Sequence, residues 1–287
     1  MKQRQTSTTA EGMALVRAIE AQRPEGVRIC YDPIARSLVN PISVFLSKLV
    51  IDSGIYERIG PPGTIAFITA RERYIDDFLK ACLSEGLDQV VILGAGFDTR
   101  AYRSPGIEKA RVFEIDHPAT QAVKLKRLKK VIDPLPDYVT FVPVDFNTQT
   151  LGERLLASGY DERGKTLFIW QGVTMYLTPE GVDSTLAFIA NHSGLESAVI
   201  FDYFYNETLR DMKMKSTRRI TRVIGERLIF GIDEGQIEPF LARRGFRDVR
   251  NVDAEELNRL YLTGPNARRV ISTGVAIASA RVNKAGE

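Results

Sequence analysis

Five short apolar runs, spaced along residues 89–204 and separated by helical stretches, constrain the fold of this chain most. The runs are rich in β-branched and aromatic residues and show little polar alternation, which is typical of strands covered on both faces. They are QVVILGAG, ARVFEID, VTFVPVD, KTLFIWQG and ESAVIFDYF. Strands that alternate with helices are joined by right-handed crossovers. The sequence therefore predicts an α/β fold with a doubly wound, mostly parallel sheet.

The segments between and after these runs complete the predicted architecture. Three of these segments are predicted to be helical: PATQAVKLKRLKKVI, LGERLLASG and TPEGVDSTLAFIANH. Thr178 is the expected N-cap of the third helix, because Pro179 follows it at the first helical position. We expect a helix and two edge strands joined by a hairpin-like connection in the last part of the chain, in the strings PFLARRGFRDVRNVDAEEL and RRVISTGVAIASARV. At least one of these strands is expected to be antiparallel.

The length of 287 residues suits one large α/β domain or two small ones. We expect a single domain over 1–287. Its N-terminal helical part covers 11–84 and its ligand-binding core 89–202. A helical insertion at 203–235 is expected to act as a lid over a cleft, and a helix with edge strands follows at 236–282.

Composition argues against several classes of function. The net charge of +3 is too small to indicate a nucleic-acid or membrane-surface partner, and KLKRLKK at 124–130 predicts a solvated helix face. Two cysteines and two histidines make neither a disulfide framework nor the usual zinc site. No apolar run is long enough to span a membrane, and the polar start MKQRQTSTTAEG is not a signal peptide. We therefore expect a cytoplasmic protein without a metal.

The first predicted strand runs into a glycine turn, VVILGAGFDTRAYR at residues 90–103. In open α/β sheets ligands bind at the carboxyl ends of strands, where glycine lets the backbone approach closely. A GxGxxG dinucleotide turn would need glycine at position 99, where this chain has Thr99. Asp98 would repel a pyrophosphate at a helix N-terminus and favours a cationic ligand. A strand-to-helix corner without a ligand is the alternative for Gly94 and Gly96.

Acidic residues follow the next two predicted strands. Asp116 comes 22 positions after Gly94, a spacing at which an acid can hold ribose hydroxyls. Asp145 could accept a hydrogen bond from an adenine amino group, and Phe146 could pack on the ring. Together these residues indicate a bound adenosine, whereas helix N-capping is the alternative for both aspartates.

An arginine interrupts an apolar helix face. One side of the predicted helix 64–84 carries five residues at 3-4-3-4 spacing: Ile68, Arg71, Ile75, Phe78 and Cys82. A buried arginine can pair with the carboxylate of a ligand, and a salt bridge to Asp98 is the structural alternative. S-adenosylmethionine combines adenosine, a cationic centre and a carboxylate without a phosphate, so the residues favour it as ligand.

Several strings in this chain resemble the leucine carboxyl methyltransferase family. They are TARERYIDDFL, LGAGFDTRAYR, FEIDHP, VPVDF and FIWQGVTMYLTPE, and the similarity runs from about Thr9 to the C-terminus. The resemblance implies a class I methyltransferase (Rossmann-like) fold with S-adenosylmethionine as cofactor. It also implies O-methylation of a small molecule, as in the bacterial branch of the family, some members of which act on polyketides.

The resemblance also implies roles for individual residues. Arg71, in the Ala-Arg-x-x-Tyr-Ile string, would contact the carboxylate end of the cofactor, Gly94 would line the cofactor, and Asp116 would bind the ribose. Two positions depart from the family pattern. Phe146 replaces a leucine after the aspartate, and Gln171 replaces a glutamate, which keeps hydrogen bonding but loses attraction for the cofactor's cations.

The implied reaction is a single in-line displacement, for which the enzyme supplies alignment and a dry site. A carboxylate acceptor is ionised at neutral pH and needs no general base, whereas a phenol or alcohol usually does. His117 is the one histidine beside a predicted strand end, and we favour a capping or packing role for it. We therefore expect a carboxylic acid as acceptor, with Tyr176 and Tyr203 lining its side. The alternatives are an NAD-dependent oxidoreductase and a catalytically silent cofactor-binding protein.

Overall fold

A single sheet of seven strands organises the protein, whose computed structural model describes residues 8–145, 148–215 and 228–284. The strands are β1 (Gln89–Leu93), β2 (Arg111–Asp116), β3 (Val139–Pro143), β4 (Thr166–Trp170), β5 (Ala198–Phe204), β6 (Phe246–Val252) and β7 (Val275–Val282). Their order is β3-β2-β1-β4-β5-β7-β6. The first five strands pair in parallel, and β7 is antiparallel to both β5 and β6. This arrangement confirms the predicted doubly wound, mostly parallel sheet.

Helices flank the sheet and precede it. They are α1 (Thr8–Glu20), α2 (Pro41–Asp52), α3 (Ile55–Ile59), α4 (Thr64–Ser84), α5 (Arg100–Arg103), α6 (Pro118–Leu128), α7 (Leu151–Ala157), α8 (Pro179–Asn191), α9 (Asn206–Lys215), α10 (Ile237–Ala242) and α11 (Ala254–Tyr261). A 3₁₀ turn covers Ala35–Leu38, within the predicted N-terminal helical part. None of the described helices has the length and apolar character needed to cross a membrane.

Alternation along each strand builds an apolar core on either face of the sheet. In β1, Val90 and Ile92 contribute to the core under α4 and α11, whereas Val91 and Leu93 contribute to the core under α7, α8 and α10. All four side chains are at most 4% exposed. Full burial of one such aliphatic side chain contributes about 1.5–3 kcal/mol. The sheet is therefore a rigid base that fixes the strand ends in space.

Several local predictions are confirmed. Helix α4 spans 64–84 as predicted, and the arginine on its apolar face, Arg71, is only 4% exposed. Helix α8 begins after Thr178, whose hydroxyl accepts a hydrogen bond from the Gly181 amide. This cap satisfies one of the amide groups that a helix N-terminus leaves without an intrahelical partner.

Three predictions need correction. The connection from β6 to β7 is not a hairpin, since it contains α11, whose N-cap Asp253 accepts a hydrogen bond from the Glu256 amide at 2.9 Å. The predicted insertion at 203–235 begins inside β5, which continues to Phe204, and its residues 216–227 lie outside the described part of the chain. Lys124, in the string predicted to be solvated, is 1% exposed and pairs with Glu114 at 2.7 Å.

Candidate active site

The carboxyl ends of β1 and β2 meet at a hydrogen bond. Gly96 lies in the glycine turn after β1 with a φ of 43°, and its amide donates to Asp116 Oδ2 at 2.5 Å. Asp116 Oδ1 accepts from the His117 amide at 2.6 Å. Burial raises the pKa of the Asp116 carboxyl, and these two amides counteract part of that effect. The structure thus brings together two of the residues predicted to hold the adenosine.

The capping alternative for the two aspartates is wrong. Helix α6 is capped by His117, whose Nδ1 accepts from the Ala119 amide at 3.2 Å, and α7 by Thr150. Asp145 lies after β3, is partly exposed, and its own amide donates to Gln149 Oε1 at 3.1 Å. Phe146 lies outside the described residues.

Gly94 has a φ of 66°, a conformation that favours glycine. A side chain at this position would collide with Val173, whose methyl groups pack directly against the glycine. Gly94 is therefore required by the turn and by its contact with the segment after β4. Its predicted role in lining the cofactor stays a prediction.

Arg71 reaches from α4 to the end of β5. Its Nη1 pairs with the carboxylate of Asp202, so the alternative partner Asp98 is wrong. Its Nη2 lies 3.4 Å from the sulfur of Met13 on α1, a weak acceptor, and its Nε is buried with no hydrogen-bond partner among the described residues. The guanidinium group therefore retains donors for a ligand.

Asp202 is a residue that spacing arguments leave out of the site. Its Oδ2 accepts from Arg71, and its Oδ1 accepts from the Gly172 amide at 2.5 Å. It thereby joins α4 to the segment after β4. The sequence points to Asp202 as a site residue only through its position near the end of a predicted strand. Its partner on α4 lies 131 residues earlier, so no local spacing relates the two.

A buried network, here called the Arg100 cluster, fills the space between the glycine turn, α1 and α4. Its members are Arg17, Asp32, Glu72, Asp76, Asp98, Arg100 and Arg103. Arg100 is fully buried, and each of its three nitrogens meets a different carboxylate: Nε meets Asp76 at 2.7 Å, Nη1 meets Asp98 at 2.5 Å and Nη2 meets Glu72 at 3.0 Å.

Of the predicted site residues, Asp98 belongs to this network and Gln171 contacts it. Asp98 is not a lone negative charge, since it pairs with Arg100. Gln171 Oε1 accepts from Arg100 Nη1 at 2.8 Å, and its Nε2 donates to Glu72 Oε2 at 2.9 Å, so the amide is held in one orientation. Burial alone would raise the pKa of Glu72, but Arg100, Arg17 and Arg103 outweigh it and hold that pKa well below its usual range.

The two predicted acceptor-side tyrosines occupy different environments. Tyr176 ends a 3₁₀ turn, Thr174–Tyr176, beyond β4 and is partly exposed. Tyr203 is 1% exposed, its hydroxyl lies 3.1 Å from Asn251 Oδ1, and its ring packs against the rings of Phe201 and Tyr205. These contacts give Tyr203 a packing role, so we do not assign it to the acceptor side.

The profile of the leucine carboxyl methyltransferase family matches residues 10–190, a range that contains Arg71, the glycine turn, Asp116 and Gln171. This chain belongs to the leucine carboxyl methyltransferase family. The predicted family is thereby confirmed, and with it the class I methyltransferase fold.

Relatives support the same conclusion. YktD of Bacillus subtilis (strain 168), named as a candidate S-adenosyl-L-methionine-dependent methyltransferase, is 34% identical over 200 residues, which are 68% of this chain and 65% of that protein. A relative of the same description from Mycobacterium sp. (strain JLS) is 30% identical over 261 residues, 83% of each chain. The crystal structure of a candidate methyltransferase from Thermobifida fusca YX matches with a TM-score of 0.54 at 15% identity over 94% of both chains, which shows a shared fold.

The methyltransferase thus uses S-adenosylmethionine, and nothing in the comparisons supports a nicotinamide cofactor or a silent binding protein. The described residues fit this cofactor. The unpartnered Nε of Arg71 suits a carboxylate, and the partly exposed Asp116 at the end of β2 retains acceptor capacity for hydroxyl groups. Both lie at the carboxyl edge of the sheet, where such folds bind ligands.

Proposed function

We propose that this methyltransferase transfers a methyl group to an oxygen atom of a small carboxylic acid. The placement of the chain's two histidines carries the proposal. His117 is exposed and caps α6 through Nδ1, and His192 pairs with Glu162 and stacks on Phe188 at the far end of α8. The usual general base for a phenol or alcohol acceptor is therefore engaged elsewhere, whereas a carboxylate needs none.

Residues at three strand ends and one residue on α4 would hold the cofactor. Arg71 would bind its carboxylate through the spare guanidinium donors, Asp116 its ribose and Asp145 its adenine, while Gly94 would let the backbone approach. When bound, the cofactor would supply a sulfonium methyl group: a nucleophilic oxygen would attack its carbon as the carbon–sulfur bond breaks, and the neutral thioether S-adenosylhomocysteine would leave. We keep Tyr176 as a residue of the acceptor side because it is partly exposed beyond β4.

The remaining residues would act by positioning and by excluding water. The Arg100 cluster fixes the glycine turn against α1 and α4, so the turn does not have to be ordered on binding. Preorganisation of this kind lowers the entropy loss of bringing two reactants together. Arg17 contributes directly, since its Nη2 donates to the Phe97 carbonyl in the turn at 2.5 Å.

Product chemistry tests the acceptor class. The protein would be incubated with methyl-labelled cofactor and matched acceptors, namely an aliphatic acid, an aromatic acid, and the alcohol and phenol of the same carbon skeletons. We expect label in the acids alone, in products that release methanol under mild base, as esters do and ethers do not.

The pH dependence of the rate is an independent check. A carboxylate acceptor is ionised throughout pH 6–8, so the rate should not follow deprotonation of the acceptor, whereas a phenol should react faster as pH rises. Base-stable label in the alcohol or phenol, with none in the acids, would contradict the proposal. The single-domain organisation, the cytoplasmic location and the lack of a nucleic-acid partner stay predictions.

A further inference from the structure

The Arg100 cluster lies directly beside the proposed cofactor site. Gln171 and Gly172 connect them, since Gln171 accepts a hydrogen bond from Arg100 and Gly172 donates one to Asp202, the partner of Arg71. Asp98 and Gln171 share the Nη1 edge of Arg100, whereas Asp76 binds the Nε edge. Glu72, which also contacts Gln171, lies on α4, so Asp98 is the carboxylate of the cluster that lies on the glycine turn.

The cluster contains more negative than positive charge. Its three arginines face four carboxylates, an excess of one negative charge. Gln171, whose side chain also contacts Arg100, is neutral. Arg71 and Asp202 balance each other, as do Lys124 and Glu114. Because these groups are buried, water screens the excess charge weakly.

We propose that Asp98 makes this site prefer positively charged S-adenosylmethionine over its neutral product, S-adenosylhomocysteine. The two ligands share every group except the methyl that turns the thioether into a sulfonium cation. A negative charge next to the site stabilises the sulfonium and leaves the thioether unaffected. The preference lowers product retention after each turnover. The proposal rests on the cofactor site argued under the proposed function and is independent of which acceptor is methylated.

The test compares the dissociation constants of both ligands in the wild type and in two variants. Asp98→Asn keeps an acceptor for the Arg100 amide, which donates to Oδ1 at 2.7 Å, and removes the charge. Asp76→Asn is the matched control, because it removes the same charge from the same arginine at the opposite edge. We expect the preference for S-adenosylmethionine to fall about 5- to 10-fold in Asp98→Asn and at most about 2-fold in Asp76→Asn.

The ratio of the two constants does not depend on the fraction of folded protein, so partial unfolding does not obscure the result. Asp98→Ser, which also keeps a side-chain acceptor, replaces Asp98→Asn if the latter does not fold. An unchanged ratio with both affinities reduced equally would overturn the proposal, as would an equal change in both variants. Wild-type protein that binds neither ligand would overturn the cofactor site itself, whereas failure to methylate acids would affect the proposed acceptor alone.

Discussion

Arg100 and Arg71 are both buried arginines beside the same strand ends, but their guanidinium groups are satisfied to different degrees. Arg100 meets Asp76, Asp98 and Glu72 through its three nitrogens. Among the residues that the structure describes, Arg71 meets a single carboxylate and contacts a thioether, and its Nε has no hydrogen-bond partner. A fully paired buried arginine holds elements together, whereas one with spare donors is prepared for a ligand. Both side chains are positively charged and buried, and their partners distinguish them.

Replacement of Arg100 by lysine should produce the largest effect. A lysine ammonium is a point charge and cannot serve three carboxylates that surround a planar fork. Arg100→Lys should lower the free energy of unfolding by about 2–4 kcal/mol, because buried acceptors lose their donors. Urea denaturation measures this change. A loss below about 1 kcal/mol would mean that the cluster rearranges freely, and the contrast with Arg71 would then fail.

Arg71→Lys should separate binding from stability. Lysine keeps a positive charge for Asp202 but lacks the spare donors of the guanidinium group, so stability should change by less than about 1 kcal/mol. Affinity for S-adenosylmethionine should fall about 10-fold, which corresponds to about 1.4 kcal/mol. Calorimetric titration and thermal unfolding measure the two quantities. A loss of stability with unchanged affinity would make Arg71 a structural residue like Arg100.

The free energy of unfolding should depend on pH through the ionised Glu72 of the Arg100 cluster. The arginines depress the pKa of Glu72 in the folded protein. Ionised Glu72 therefore stabilises the protein at pH values above the pKa of an unfolded glutamate, about 4.3. This stabilisation is lost as pH falls toward the lower folded-state pKa. Between about pH 5 and pH 3 the wild type should lose about 1 kcal/mol more than Glu72→Gln. Urea denaturation at each pH measures the difference.

Subtracting the pH dependence of stability of Glu72→Gln from that of the wild type also removes contributions of opposite sign from other residues. Burial raises the pKa of Glu114 and Asp116, so proton uptake by these groups favours the folded state as pH falls. Both residues are present in wild type and variant. Equal acid dependence in the two proteins would show that the arginines do not depress the pKa of Glu72.

The fold could be predicted from local pattern, because strand burial, glycine turns and N-caps act within a few residues. Thr178 and the strand that ends at Leu93 are examples. The error in the hairpin prediction could also have been avoided from local pattern, because Asp253 is a typical N-cap residue and directly precedes α11. The place of Arg71 within an apolar helix face likewise predicts its burial, because neighbours three and four residues away share that face.

Side-chain partners could not be predicted in the same way. Asp202 is separated from Arg71 by 131 residues and Gln171 from Glu72 by 99, and no periodicity relates such positions. The burial of Lys124 escapes prediction for a related reason, because its partner Glu114 lies on a strand whose facing helix is known only from the fold. Local pattern also predicts that Asp98 is an unpaired charge, whereas its carboxylate forms a salt bridge with Arg100, two residues later.

Arg73 completes the comparison and should show the smallest effect. It lies two residues after Arg71 on α4, has a side chain that is 49% exposed, and pairs with Asp77 at 3.0 Å. Arg73→Ala should change stability by less than about 0.5 kcal/mol, because solvent screens an exposed pair and Asp77 keeps the Tyr261 hydroxyl as a donor at 3.0 Å. Affinity for S-adenosylmethionine should not change. If Arg73→Ala weakened binding as much as Arg71→Lys, general positive charge on α4 would account for the effect, and the spare donors of Arg71 would lose their assigned role.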